Sequence, residues 1–258
     1  MKKLILDRLK ELETEHNIKI LYACESGSRA WGFASPNSDW DVRFMYVHTR
    51  DWYLSIDEQK DMLDFAIDAN ELDLTGWDLR KTLRLFRGSN ASPFEWLQSP
   101  IVYLDPYNFK SRLWDLTEDY FKPRSAAFHY LGLAKSSSKK GLVDGLMDIK
   151  KYFYVLRPLL AAYWICTKKT APPMEFAPLL EQIKSEKKLY AAIQDLTEKK
   201  IAAQEGDFTA PVSIIQDFTN KNLTALELKA KELTAEQTPS TLLNHLFREF
   251  IHTDHVDD

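Results

Sequence analysis

Over the first sixteen positions apolar residues recur with a helical period. Leu4, Ile5, Leu9 and Leu12 share one side and charged residues fill the rest, which predicts an amphipathic first helix. Ile18 to Ala23 alternates loosely and is rich in β-formers, predicting a first strand. A glycine-turned loop, Gly27-Ser28-Arg29-Ala30-Trp31-Gly32, leads to a second strand from about Asp41 to Val47. Asp61 to Ile67 and Asn70 to Thr75 read as two more short strands joined at Asp68-Ala69. Within the latter, Leu72 and Leu74 face one side, and Asp73 falls on the polar side between Glu71 and Thr75.

Thr75 reads as a helix N-cap, with Asp78 completing a capping-box-like pair ahead of Leu79, Leu83 and Phe86. The other side of that helix carries Arg80, Arg84 and Arg87, with Lys81 beside them, either a solvated face or a basic stripe. Pro93, Pro100 and Pro106 punctuate the next stretch, and from Arg124 strand signals thin out. Helices are predicted over Ser125 to Ser138, Leu142 to Thr167, Pro178 to Lys200 and Val212 to Leu233, with Pro172-Pro173 and Gly206 between them. The shift of pattern at Lys122-Pro123 places a domain boundary there, with an α/β unit over residues 1–122 and a helical one over 123–258. The expected class is α/β (α+β), a small mixed sheet followed by a helical bundle.

Composition narrows the classes. The 258 residues, 45% hydrophobic and 28% charged, suit a soluble globular chain with one large or two modest domains. Asp7, Arg8 and Lys10 interrupt the N-terminal apolar run before any cleavage site of small residues, so it reads as an amphipathic first helix rather than a signal peptide. The longest apolar stretch, Pro158 to Cys166, is far short of the ~20 residues that span a bilayer. A cytoplasmic protein without a membrane partner is expected. Cys24 and Cys166 are too few for a disulfide framework and lack zinc-site spacing, so both read as buried thiols. A net charge of −4 confines any nucleic-acid contact to a local patch.

The chemistry concentrates around the glycine loop. In a strand, Asp39, Asp41 and Arg43 project together, opposite Trp40, Val42 and Phe44. Successive same-face Cα atoms lie about 6.6 Å apart, so two carboxylates there can share divalent cations. Hard oxygen ligands suit magnesium, with manganese as the substitute. Gly27 permits backbone conformations closed to other residues, Ser28 adds a hydroxyl, and exposed N–H groups in such a loop can hold a triphosphate. Arg29 and Arg43 are candidates to touch phosphate or pair an acid, and Arg43 shares the face of the acids. On the helix from about Gly145 to Thr167, Lys150, Tyr154 and Arg157 follow an i, i+4, i+7 spacing, fit to clamp phosphates and stack on a base, while Phe153, Leu156, Leu160 and Trp164 form an apolar stripe. An ordinary solvated face is the alternative. Trp31 and Trp40 read as packing residues, Trp31 alternatively as the border of a base pocket. His129 reads as structural, Lys135, Lys139 and Lys140 surround a serine run, and His252 to Asp258 reads as a frayed acidic tail.

Gly27-Ser28 followed about ten residues later by Asp39-x-Asp41 resembles the polymerase-β-like nucleotidyltransferases, in which a third acid lies on a later strand. Residues 27–47 (GSRAWGFASPNSDWDVRFMYV), 73–86 (DLTGWDLRKTLRLF), 92–103 (SPFEWLQSPIVY), 129–135 (HYLGLAK) and 150–165 (KKYFYVLRPLLAAYWI) resemble more closely the YcgL-type subgroup, linked by name to RNA repair. The resemblance spans residue 20 to about 180. It implies that Gly27 and Ser28 bind the nucleotide phosphates, that Asp39 and Asp41 hold two magnesium ions, and that Asp73, the third acid, helps bind the catalytic metal and serves as general base. Asp78 is the rival, weakened by its capping position. The implied reaction moves a nucleoside monophosphate from a nucleoside triphosphate, ATP the expected one, to an acceptor hydroxyl. An RNA 3′ end, of tRNA or another RNA, is the first choice of acceptor. A protein or small-molecule hydroxyl, a non-catalytic antitoxin-like nucleotide-binding module and a metal-dependent phosphohydrolase are the alternatives.

Overall fold

A computed structural model of the protein describes residues 1–138, 142–143, 146–202, 207–235 and 238–252. Lys139, Lys140, Gly145, Gly206 and the tail from Thr253 onward lie outside the described residues. The chain runs α1 (Lys2–His16), β1 (Ile18–Glu25), α2 (Gly27–Trp31), β2 (Trp40–His48), α3 (Arg50–Tyr53), β3 (Met62–Asp64), β4 (Leu72–Asp78), α4 (Leu79–Arg87), α5 (Ala91–Leu97), β5 (Val102–Leu104), α6 (Phe109–Trp114) and α7 (Thr117–Tyr120). It continues α8 (Pro123–Ser138), β6 (Leu142–Val143), β7 (Leu146–Asp148), α9 (Ile149–Lys168), α10 (Phe176–Glu181), α11 (Lys187–Ala202), β8 (Phe208–Thr209), α12 (Ser213–Lys231) and α13 (Thr241–His252).

The main sheet is mixed, in the order β3-β4-β2-β1-β5, as the α/β reading of the first third expects. Only β2 and β4 pair in parallel, and their register sets Asp41 beside Asp73 and Arg43 beside Thr75. Alternation divides the sheet's side chains. Val42, Phe44, Tyr46, Leu72 and Leu74 meet Ile5, Leu9 and Leu12 of α1 on one face. Met45 and Val47 pack with α4, α5, α6 and α13 on the other. Asp41 and Arg43 precede Met45 on that second face, as Asp73 and Thr75 precede Trp77, so the polar site is the open end of a layer whose far end is core. Leu4, assigned to the apolar side of α1, is exposed instead, because the helix buries only the narrower Ile5-Leu9-Leu12 stripe.

Gly76 marks where β4 crosses Phe44. A Cβ there would stand 2.2 Å from Phe44 Cε2, and Phe44 is itself buried. Gly76→Ala is expected to cost about 1–3 kcal/mol as overpacking, read as a lower thermal midpoint without change of secondary structure. A midpoint equal to the parent's refutes the close approach.

Several boundaries depart from the pattern. Thr75 is not a cap: it stays in β4, its hydroxyl donating to Asp64 at 2.9 Å, and Asp78 is itself the N-cap, accepting from Arg80 N at 2.8 Å. The helix expected from Leu142 starts at Ile149, because Asp148 caps it and β7 pairs with β6 and β8. The helix expected over Pro178 to Lys200 is two helices, broken where Gln182 turns its amide onto the carbonyls of Leu179 and Leu160. Residues of α8 to α12 share one core, which Phe33 joins from the sheet side, and α13 returns to lay Leu243, Leu246 and Phe250 on the sheet-side core beside α4. Among the described residues no helix is long and apolar enough to cross a membrane.

Candidate active site

A cavity of about 360 Å³ lies between the open end of the sheet and the start of α9. Its sheet-side wall holds Gly27, Ser28, Asp39, Asp41, Arg43 and Asp73, and its far wall Asp148, Lys150, Tyr154, Lys200 and Asp207.

Gly27 opens α2, two residues after β1 ends, with φ +57°, and a Cβ on it would stand 1.9 Å from Asp41 Oδ2, so the backbone of the loop lies directly against that carboxylate. The approach is held from beneath by Glu25, which is fully buried. One Glu25 oxygen accepts from the Asp41 backbone N–H at 2.9 Å and the other from the Tyr103 hydroxyl. Ser26 N donates to the Asp41 carbonyl at 2.7 Å, stitching the loop to β2. Burial pushes the Glu25 carboxyl up, and its hydrogen bonds pull part of the way back.

Arg43 gathers the acids. Its Nη2 reaches Asp41 Oδ1 at 3.0 Å and Asp73 Oδ2 at 2.8 Å, while Nη1 donates to the Asp73 carbonyl at 3.0 Å. Of the two readings open to Arg43, pairing an acid is the geometry observed. Burial raises the Asp41 carboxyl; Arg43 opposes this, and Asp73 and Asp39 reinforce it. Two carboxylates, Asp41 and Asp73, therefore share one guanidinium on this wall. Asp39 lies in the turn before β2 rather than in the strand, yet lines the same cavity.

The structure thus brings together Gly27, Ser28, Asp39, Asp41, Arg43, Asp73, Lys150 and Tyr154. It places Arg29 and Arg157 elsewhere. Arg29 folds back under the loop, donating to the Ser38 carbonyl at 2.6 Å and the Asp39 carbonyl at 3.1 Å and stacking on Trp40 at 3.8 Å. It positions the turn that carries Asp39. Arg157 is buried, bonded to Glu95 at 2.9 Å and to the Met174 carbonyl, with its guanidinium over the Trp31 ring. Trp31 borders the cavity and packs edge-on against Tyr154. Two residues escape the pattern: Glu25, and Lys200, which is buried in the far wall with Nζ 3.2 Å from the Ser35 hydroxyl.

Other candidates resolve as structure. Asp78 accepts from Tyr53 at 2.5 Å besides capping α4. The arginines of α4 face a groove closed by α13: Arg80 stacks on Tyr53 and Arg87 bonds Ser240. Cys24 is fully buried and its thiol is pushed up to about 12. Cys166 is only half-buried, its thiol directed at the Leu226 carbonyl. His129 is partly buried and disfavours charge.

Comparison with known proteins supplies the lineage. A family described as the RNA repair pathway DNA polymerase beta family matches residues 1–249. The uncharacterised protein YcgL of Bacillus subtilis (strain 168) is 43% identical over 241 residues, 93% of this chain and 92% of its own length. A crystal structure of a nucleotidyltransferase-like protein from Exiguobacterium sibiricum aligns with 95% of this chain and 79% of its own, at a TM-score of 0.33 and 11% identity. The resemblance carried by Gly27-Ser28 and Asp39-x-Asp41 is thereby upheld across almost the whole chain, which belongs to the RNA repair pathway DNA polymerase beta family.

Proposed function

We propose that the protein transfers a nucleoside monophosphate from a nucleoside triphosphate, ATP first among them, to the 3′-hydroxyl of an RNA strand and releases pyrophosphate. The observation that carries the reading is the convergence of Asp41 and Asp73 from neighbouring parallel strands, directly beneath the Gly27 loop.

Among the described residues no three acidic, histidine or cysteine side chains converge as a ready metal cage. Magnesium does not need one, since it binds through one or two carboxylates and completes its shell with water and substrate phosphates. Asp41 and Asp73, with Asp39 beside them, fit that demand: they are hard donors, partly buried, and answered by a single Arg43. When bound, magnesium would neutralise phosphate charge developing during transfer.

The remaining work falls to the chain. The backbone at Gly27 and Ser28 cradles the triphosphate, and Lys150 and Lys200 supply positive charge for the pyrophosphate that departs. Asp73 accepts the proton of the attacking hydroxyl as the acceptor oxygen bonds to the α-phosphorus and the bond from that phosphorus to the β-phosphate bridging oxygen breaks. Glu25 and Arg29 hold the loop and the turn in place.

Incubation with α-labelled ATP and RNA bearing a 3′-hydroxyl is expected to put label on the RNA and release pyrophosphate. Asp73→Asn is expected to lower the rate by about a hundredfold or more, the low end of general-base contributions. Release of inorganic phosphate would make the protein a phosphohydrolase instead. Undiminished transfer by Asp73→Asn would remove the assigned base.

A further inference from the structure

A second chamber, of about 370 Å³, adjoins the first and shares Ser26, Trp31, Arg43, Phe153 and Tyr154 with it. We propose that this chamber seats the terminal nucleobase of the acceptor RNA and that Glu95 reads its amino group. The assignment rests on the transfer reading above.

Position is the first argument. Thr75 and Trp77 follow Asp73 on the same face of β4, and both line the chamber. A hydroxyl presented to Asp73 therefore has the chamber beside it, on the side away from Lys200, which borders the first cavity alone. The base of the acceptor nucleotide, one ribose away from that hydroxyl, falls within it.

Chemistry is the second. Trp77 and Trp96 lie 4.2 Å apart in one wall and Trp31 and Tyr154 stand in another, with Leu133 and Pro158 completing an apolar lining suited to a planar ring. Into this lining comes one carboxylate. Glu95 is only 9% exposed; its Oε1 accepts from Arg157 Nη1 at 2.9 Å and from the Tyr130 hydroxyl at 2.7 Å. Its Oε2 has no hydrogen-bond partner among the described residues. An acceptor oxygen without a protein donor in a wall of the chamber favours a ligand bearing an N–H donor. At position 4 cytosine offers such a donor, its amino group, where uracil carries the acceptor O4 and has its one base-edge N–H at N3 instead.

The test measures binding of 5′-labelled RNA strands by fluorescence anisotropy, alongside label transfer from α-labelled ATP. The strands end in cytidine, in uridine or in an abasic ribose. The cytidine end is expected to bind about tenfold tighter than the abasic end, within the range of base–aromatic stacking. It is also expected to bind several-fold tighter than the uridine end. Leu133→Trp, which fills the chamber from a position 45% exposed on α8, should abolish this base dependence and leave the affinity for ATP unchanged. Glu95→Gln should abolish only the preference for cytidine; where it fails to fold, the Leu133 variant decides. Equal binding of all three strands by the parent overturns the proposal. So does a Leu133→Trp defect that falls on ATP, or capture of a tyrosine-bearing peptide in place of RNA. Base-dependent RNA binding without label transfer refutes the transfer reading and keeps the chamber; transfer without base dependence does the reverse.

Discussion

Gly27→Ala is expected to lower nucleotide transfer by about a hundredfold or more, a loss of the kind produced by misplacement of a reacting group by about 1 Å. Two costs meet at this residue. At φ +57° a side chain imposes roughly 1–2 kcal/mol of left-handed strain, which the fold can absorb as lost stability. The new methyl would also stand 1.9 Å from Asp41 Oδ2, a contact relieved only by moving the loop or swinging the carboxylate away from Asp73 and Arg43. Glu25 resists the first movement, because it holds the Asp41 backbone from below. The carboxylate therefore moves. Gly32→Ala separates the two costs, since Gly32 has φ +90° but a Cβ there would meet nothing within 4 Å. It is expected to lower the thermal midpoint while keeping transfer within about tenfold of the parent, well short of the loss from a misplaced reacting group. Equal losses of activity in the two variants would show that loop strain, and not the approach to Asp41, governs the site.

The legible part of this site is the part encoded at short range. Asp41 and Arg43 are two residues apart, so strand alternation alone puts them on one face, and Gly27-Ser28 is close enough in sequence to be read with them. Asp73 is legible as a polar strand residue, but its register against Asp41 depends on a parallel pairing across thirty-two positions, which no local pattern encodes. Glu25 carries a faint signal, a carboxylate closing an otherwise apolar strand next to the loop. Its partner Tyr103 is 78 positions away, on the opposite edge of β1. Lys200 ends a helix amid other lysines, and only the fold of α11 against the Ser35 turn makes it a cavity residue. The start of α9 misleads for a related reason: Leu142 to Asp148 has apolar residues at a spacing that suits a helix, but pairing of β7 with β8 prevails. The α13 helix escapes the pattern although it buries Leu243, Leu246 and Phe250, because its mate is α4, more than 150 positions earlier.

Arg157 shows how a helical spacing can point to a ligand when the side chain belongs to the core. Lys150 and Tyr154 reach the cavity, but one turn further along α9 the same stripe dips under Trp31, where Arg157 is 4% exposed. There it makes three hydrogen bonds, Nη1 to Glu95 and Nε and Nη2 to the Met174 carbonyl, tying α9 to α5 and to the segment before α10. Arg157→Ala would leave Glu95 buried with only Tyr130 to compensate it, a loss expected to cost about 3–5 kcal/mol. For a chain of this length that lowers the thermal midpoint by roughly 6–20 °C. Arg157→Lys is expected to recover little, because one ammonium cannot reach both Glu95 and the Met174 carbonyl in the fork geometry of a guanidinium. The two roles separate in measurement. Below its midpoint the lysine variant should bind ATP with an affinity within about threefold of the parent, since Arg157 touches the nucleotide cavity only through Trp31. A loss of ATP affinity beyond about tenfold, with the midpoint held within about 2 °C, would return Arg157 to the nucleotide and take it out of the core.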